Sequence, residues 1–217
     1  MVSKCRLFYF NPGKGYHYSN TGFSILGKII ERVSGQSYGD YVKDHIFTPM
    51  AMVNSSLPYS GNDKMIPAPY AKGYLYFPAV SEFTTQNMSA NVAEGNLITT
   101  PDDLARFALK LFRGEGVLNS YTVNKVMLQP LNPPDTMETY TCGVEYMRNL
   151  GYGHGGDCPS YITMFACDPA TGFTCVVFAN AWNLSGGGNN GITEQVKTVL
   201  NESLYRSLYI VNKYEKK

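Results

Sequence analysis

Two short segments concentrate the residue types that could do chemistry. The first is Tyr18-Ser19-Asn20 and the second is His154-Gly155-Gly156-Asp157. Residues two apart in an extended chain point to the same side, so Tyr18 and Asn20 could share one cleft. A phenol can move protons if nearby positive charge lowers its pKa, and an asparagine amide can hold a carbonyl. The same pair also fits a plainer role, with Asn20 or Thr21 capping a helix and Tyr18 packing beneath it. His154 lies among Gly151, Gly153, Gly155 and Gly156. Glycines let another backbone or a ligand approach a strand closely. The backbone N–H groups after them could hold a developing oxyanion, and His154 could donate to a carboxylate or tune a neighbour's protonation. The plainer role there is a β-bulge with an exposed histidine.

Other chemistries find no support. The formal net charge is +1, and the only basic run is the short Lys213 to Lys217 tail, so a nucleic-acid surface is not expected. No phosphate-loop lysine motif occurs. No cofactor is implied. His17, His45 and His154 are scattered and no Cys-x-x-Cys pair occurs, so no metal site is expected. Five cysteines cannot all pair within one chain; Cys158, Cys167 and Cys175 fall in strand-like stretches and read as small apolar residues. No run is apolar enough to span a membrane, and Leu7 to Phe10 is too short for a signal-peptide core. The compartment stays open.

The elements that must position these residues follow from local pattern. Pro12-Gly13 marks a turn. A helix from about Gly22 to Val33 presents Phe23, Leu26, Ile30 and Val33 as one apolar stripe and stops at Gly35. Ser37 with Asp40 forms a capping box for a second helix showing Tyr41, Val42 and Ile46 and ending before Pro49. Met50 to Asn96, rich in proline and tyrosine, reads as long connections able to wall a site. Thr99 to Phe112 is a third helix, capped by Thr100 with Pro101 in its first turn and Asp103 closing the box; Leu104, Phe107, Ala108 and Leu111 face inward. A short helix covers Tyr121 to Leu128. Thr141 to Met147, Tyr161 to Cys167 and Phe173 to Ala181 read as strands, the last two antiparallel neighbours across the turn Asp168 to Gly172. Gly186 to Gly191 is a flexible turn before a last helix from Ile192 to Tyr209, buried along Val196, Val199, Leu200, Leu204 and Leu208. The expected fold is α/β (α+β), with a mostly helical lobe over 10–135, and antiparallel strands with a covering helix over 136–217, in one domain.

Taken together, Pro12-Gly13, Tyr18-Ser19-Asn20-Thr21-Gly22-Phe23 and Gly153-His154-Gly155-Gly156 resemble the Tyr-x-Asn and third motifs of the serine β-lactamase and penicillin-binding protein family. The nearest branch is the class C type, with its D-alanyl-D-alanine carboxypeptidases and esterases, where His-x-Gly often replaces Lys-Thr-Gly. Gly95-Asn96-Leu97-Ile98 and Thr100-Pro101-Asp102-Asp103-Leu104-Ala105 are similar to that family's glycine turn and following helix. The likeness covers roughly Phe10 to Tyr209. It implies a β-lactamase/transpeptidase-like fold and acyl transfer to a serine followed by hydrolysis, on β-lactams, D-Ala peptides or esters. Tyr18 would be a general base or part of a Tyr–Lys relay. His154 would stand where the third-motif lysine does. Asn20 would orient substrate, beside Gly155 and Gly156, and the Asp157 N–H would serve the oxyanion hole with its carboxylate turned away.

The family's nucleophile sits in a Ser-x-x-Lys segment well before Tyr-x-Asn. No serine here lies three residues before any lysine; the nearest match is Thr122-Val123-Asn124-Lys125. The expectation is therefore a truncated domain without the N-terminal helix and first strands, inactive or very weak alone. A sheet edge and one face of the Phe23 helix would then be exposed. Two alternatives stay open: a non-catalytic binding module that reuses the cleft, and one half of a split enzyme whose partner chain supplies Ser-x-x-Lys.

Overall fold

The computed structural model describes residues 9–59, 64, 66–131, 139–184 and 192–214. Its centre is an antiparallel sheet of β3 (Thr139–Tyr140), β4 (Glu145–Met147), β5 (Gly151–Cys158), β6 (Tyr161–Cys167) and β7 (Thr174–Ala179), in that order. β5 and β6 pair without interruption from Tyr152↔Cys167 to Cys158↔Tyr161. No bulge interrupts the strand at His154, which sits mid-strand opposite Phe165. The turn from Asp168 to Gly172 forms as its sequence predicts, with the Gly172 N–H donating to Asp168 O at 2.8 Å and Gly172 at φ 82°.

Side chains alternate across the sheet, so each strand feeds two cores. On one face Tyr152, Phe165 and Cys167 meet Ala108, Leu111 and Phe112 of helix α3 (Pro101–Arg113). On the other, Met164, Ala166, Cys175 and Val177 meet Leu204 and Leu208 of helix α5 (Ile192–Tyr214). The result is helices, sheet, helix: a mixed α/β arrangement with a partial antiparallel sheet and a helical lobe. Burying a side chain such as Phe112 or Leu204 contributes about 1.5–3 kcal/mol each. On α5, Val199 is exposed, contrary to the expected stripe, and the helix runs past Tyr209. The Gly186 to Gly191 turn, Cys5, Lys216 and Lys217 lie outside the described residues.

The helical lobe follows its local signals closely. α1 (Asn20–Ser34) is capped by Ser19, whose Oγ accepts from the Gly22 N–H at 3.2 Å, and stops at Gly35 with φ 74°. α2 (Tyr38–Val42) starts at Ser37, whose Oγ accepts from the Asp40 N–H, and runs into a π-helical turn over Lys43–Phe47 before Pro49. α3 has Thr100 at its cap, accepting from the Asp103 N–H at 3.3 Å. The Asp103 carboxylate does not close the box as expected. It is fully buried and accepts instead from the Asn54 N–H at 2.8 Å and the Ser55 hydroxyl at 3.0 Å, tying α3 to the turn after Met52. α4 (Ser120–Thr122) continues as a π-helical turn over Val123–Met127.

One helix has the open face expected of it, and one stretch departs from the sequence reading. Leu26 and Val33 of α1 are exposed, together with Ile25 and Ile29, and only Gly27 of that helix is buried. The expected stripe is therefore apolar but largely uncovered. Within Met50 to Asn96, β1 (Tyr74–Tyr76) and β2 (Val80–Glu82) form a hairpin, and β8 (Ala181–Asn183) adds in parallel to make a second, three-stranded sheet. Strands of three residues are too short to show a period. Among the described residues no helix is long and apolar enough to cross a membrane.

Candidate active site

The backbone at Ser19 is extended (φ −149°, ψ 113°) where the chain enters α1. Ser19 takes the cap, so the Asn20 amide, exposed at the first position of α1, is not used for it. The Tyr18 ring lies 6.0 Å, centre to centre, from the His154 ring and 5.6 Å edge-on from Tyr140. Thus two segments far apart in sequence meet at one place, through a third residue that motif reading missed. Tyr140 Oη and His154 Nε2 are 3.0 Å apart. Tyr16 stacks obliquely on Tyr140 at 5.5 Å, and Phe23 on Tyr18 at 5.8 Å.

Tyr140 went unread because the expected strand began at Thr141. Gly143 instead takes φ 95° and closes a tight turn in which the Thr141 N–H donates to Val144 O at 2.8 Å. That turn takes up the start of the expected strand, leaves only Glu145–Met147 of it as β4, and joins it to β3, which lies before Thr141 and sets Tyr140 against His154. Gly143 was the available signal, since an isolated glycine within a strand pattern marks a break.

The electrostatics run against an ionised Tyr18. Burial raises its pKa and the Glu94 carboxylate raises it further. Both effects oppose the lowering that a proton-accepting phenol would need. Tyr140 is also held well above the ordinary phenol value, first by burial and then by Tyr18, Tyr16 and Glu145. Both phenols therefore stay protonated at neutral pH.

Beneath these rings runs β5. Gly151 and Gly153 are glycine for packing: a Cβ at Gly151 would lie 2.2 Å from Cys167 O, and one at Gly153 would lie 2.0 Å from Phe165 O. Gly155 and Gly156 differ. A Cβ there would make ordinary contacts, 3.8 Å and 3.7 Å from Thr163 atoms, and both residues are exposed. The fold does not require glycine at these two positions; a ligand approaching from the cleft would. β4 pairs with β5 only as far as Gly153, so from His154 onward the β4-side edge of β5 has no strand partner among the described residues. Its N–H groups are the ones an oxyanion could reach. The Asp157 carboxylate turns to the other face of the sheet and pairs with Lys197 of α5.

The wall is built from the 88–96 connection. Glu94 accepts from the Asn91 side-chain amide at 2.7 Å, and Ala93 packs so closely on α1 that a Cβ on Gly27 would lie 2.6 Å away. Asn96 is buried and structural, its amide donating to Pro58 O at 3.0 Å. Thr122-Val123-Asn124-Lys125 spans α4 and its π-turn; Val123 is buried in the core and Lys125 is exposed. Among the described residues no group of three potential metal ligands occurs, and Cys142, Cys158, Cys167 and Cys175 are free thiols.

Comparison with known proteins agrees with this architecture. The chain is 30% identical over 173 residues to penicillin-binding protein 4* of Bacillus subtilis (strain 168), an alignment covering 72% of this chain and 38% of that protein. Among solved structures, a D-stereospecific amidohydrolase from Streptomyces sp. superposes with a TM-score of 0.70 at 27% identity, covering 79% of this chain and 52% of that one. The penicillin binding protein from Bacillus halodurans superposes with a TM-score of 0.66 at 26% identity, covering 88% and 58%. The D-amino acid amidase from Ochrobactrum anthropi SV3 complexed with D-phenylalanine gives 0.67 at 25%, covering 81% and 54%. The chain thus spans less than two thirds of the length of these relatives. The family model described as Beta-lactamase matches residues 4–197, and the chain belongs to that family.

Proposed function

We propose that this chain carries the substrate-receiving side of a serine acyl-hydrolase cleft and that alone it is inactive or very weak. The observation that carries the reading is the convergence of Tyr18, Tyr140 and His154 beside the open, side-chain-free edge at Gly155 and Gly156. In this reading Asn20 orients the acyl group, the Asp157 N–H is an oxyanion donor, and Tyr18 and His154 handle protons. Both parts of the chain, 10–135 and 136–217, act as one domain. Likeness to penicillin-binding proteins and to D-amino acid amidases supports β-lactam, D-amino acid amide or ester substrates. An acyl-enzyme needs an activated hydroxyl, and no Ser-x-x-Lys is present in the sequence. Without it, donors that polarise the carbonyl give only weak catalysis.

The test mixes purified chain with a chromogenic β-lactam and an activated ester, then measures intact mass. No covalent adduct is expected. An acylated species would show that the chain holds its own nucleophile.

A second reading has its own observations. β7 forms the end of the sheet, unpaired on its outer side among the described residues. Ile25, Leu26 and Ile29 leave an apolar face on α1 beside a groove of 220 Å³ lined by Thr21, Ser24, Lys28 and Val92. Uncovered strand edges and apolar faces favour association. These features support a complementing segment that bears Ser-x-x-Lys and restores the hydrolase. Co-expression with the N-terminal part of a related enzyme should then yield a complex that turns over the ester; two chains that stay apart would count against it.

A further inference from the structure

The open edge of β5 has two ends, and the chain closes both. At one end β4 stops it, pairing as far as Gly153. At the other, the connection after β2 lies across the tip of the β5–β6 hairpin. Gln86 meets that tip twice: its side-chain amide donates to Pro159 O, and its Oε1 accepts from the Cys158 thiol at 3.7 Å. Met88 Sδ lies 3.9 Å from the same thiol. Just before them in sequence, Phe83 O accepts from the Ser160 hydroxyl at 2.7 Å. Side chains alternate along a strand and Asp157 turns to α5, so Cys158 shares the face of His154 and Gly156. Gln86 and Met88 therefore meet β5 on the cleft side of the sheet. We propose that Gln86 and Met88 are specificity-determining residues that limit the acyl part of a ligand to a single residue.

The inference rests on the cleft reading above and narrows its substrate class. With the Asp157 N–H as oxyanion donor, the reacting carbonyl sits at Asp157. Tyr18 and His154 handle protons in that reading, and a leaving group must collect one. The leaving group then lies on the His154 side of the carbonyl and the acyl group on the Cys158 side. From Asp157 back to Gly153 the edge runs about 13 Å at roughly 3.3 Å per residue, enough for a leaving group of several residues. In the other direction Cys158 follows after about 3.3 Å, with Gln86 and Met88 set against it. A peptide continuing along the edge on that side runs into them. The segment that carries this cap is fastened at both ends. Thr84 and Asn96 are buried, Thr84 Oγ1 accepting from the Gly73 N–H at 3.0 Å and the Asn96 amide donating to Pro58 O at 3.0 Å. Between them the Asn91 N–H donates to Met88 O at 2.9 Å, and the Gly95 N–H to Asn91 O at 3.0 Å. The same segment reaches both ends of the cleft. Burial raises the pKa of the Cys158 thiol, the bond to Gln86 lowers it, and Glu94 raises it again, as it also raises Tyr18 after burial. Single-residue acyl amides and esters fit this cleft, and peptides with residues added before the acyl residue do not.

The experiment titrates the full chain, followed by NMR, with three probes: D-phenylalanine amide, glycyl-glycyl-D-phenylalanine amide and D-phenylalanyl-glycyl-glycine amide. The last two are isomers of equal charge that differ only in which side of the D-phenylalanine residue is extended. The single residue and the form extended beyond its carbonyl should bind alike. The form extended before it should bind at least about tenfold more weakly, since one surplus methylene in a closed site can cost that much. Gln86→Ala and Met88→Ala should each narrow the gap between the isomers. Amide spectra check that the variants fold, and the isomer comparison in the unaltered chain stands without them. Equal binding of the two isomers overturns the cap while leaving the cleft standing. So does an unchanged gap in a folded variant, including the case where all three probes weaken alike, which is what a merely structural role would give. Failure of all three probes to bind overturns the cleft reading and the cap with it.

Discussion

Asp157 and Lys197 join β5 to α5 on the face of the sheet opposite Tyr18. Both side chains are about one third exposed, and Glu194 also contacts Lys197 at 3.3 Å. Partly solvated ion pairs are worth little. Lys197→Met and Asp157→Asn should each cost less than about 1 kcal/mol in urea denaturation. The Asp157 N–H stays in place in both, so ligand binding should be preserved.

The glycines of β5 should separate into two classes. Gly153→Ala forces a Cβ to within 2.0 Å of the Phe165 carbonyl, a backbone atom that cannot swing aside. It should cost about 3 kcal/mol or more, the range of severe core strain. Gly155→Ala meets nothing closer than 3.8 Å and should stay within about 1 kcal/mol of wild type, yet weaken binding of any ligand lying along that edge. Equal destabilisation by the two would contradict the division.

Asp103 is a structural anchor and not a reacting group. Replacing it with Ala leaves the part-buried Asn54 N–H without its acceptor, takes one of two partners from the Ser55 hydroxyl and removes the ion pair with Arg106. A loss of about 3 kcal/mol is expected, as for a buried group stripped of a charged partner. Chemical denaturation measures it directly.

Alkaline titration offers a check on burial. Tyr18, Tyr38, Tyr140, Tyr152 and Tyr161 are all held above the ordinary phenol value, with burial as the leading cause. The folded state therefore favours the neutral phenol. This stabilisation is complete below the unfolded value near pH 10 and is lost as pH rises through the higher folded values. Of the seventeen tyrosines, a late-ionising group should be seen by ultraviolet absorbance, with falling stability above about pH 10. A single early transition of all tyrosines would mean that these rings are solvated.

The open face of α1 makes a surface prediction. Ile25→Lys and Ile29→Glu replace exposed apolar residues, so stability should move by no more than about 0.5 kcal/mol. If that face associates, sedimentation should show less self-association or less complex formation. Unchanged association would place the contact elsewhere, such as on β7.

Signals carried by one or two residues were legible in the sequence. Ser37, Thr100 and Gly35 act at helix ends because caps depend on local geometry. β6 and β7 were legible because their apolar runs flank a turn of fixed chemistry. The apolar stripe of α1 does not by itself state whether anything covers it; its open face was expected only because the Ser-x-x-Lys part of the family pattern is absent. Tyr140 belongs to a two-residue strand whose position depends on Gly143 and on pairing with β4, neither of which a motif records. The sequence placed Tyr18 and His154 in one family pattern; their meeting through Tyr140 is a tertiary property.

That meeting joins two segments far apart in the sequence, since Tyr18 precedes α1 and His154 lies in β5. A molecule held by both would clamp the start of α1 to the sheet. Its occupancy should raise the melting temperature of the whole domain by mass action, so a thermal-shift screen of amides and esters would report the cleft without any turnover.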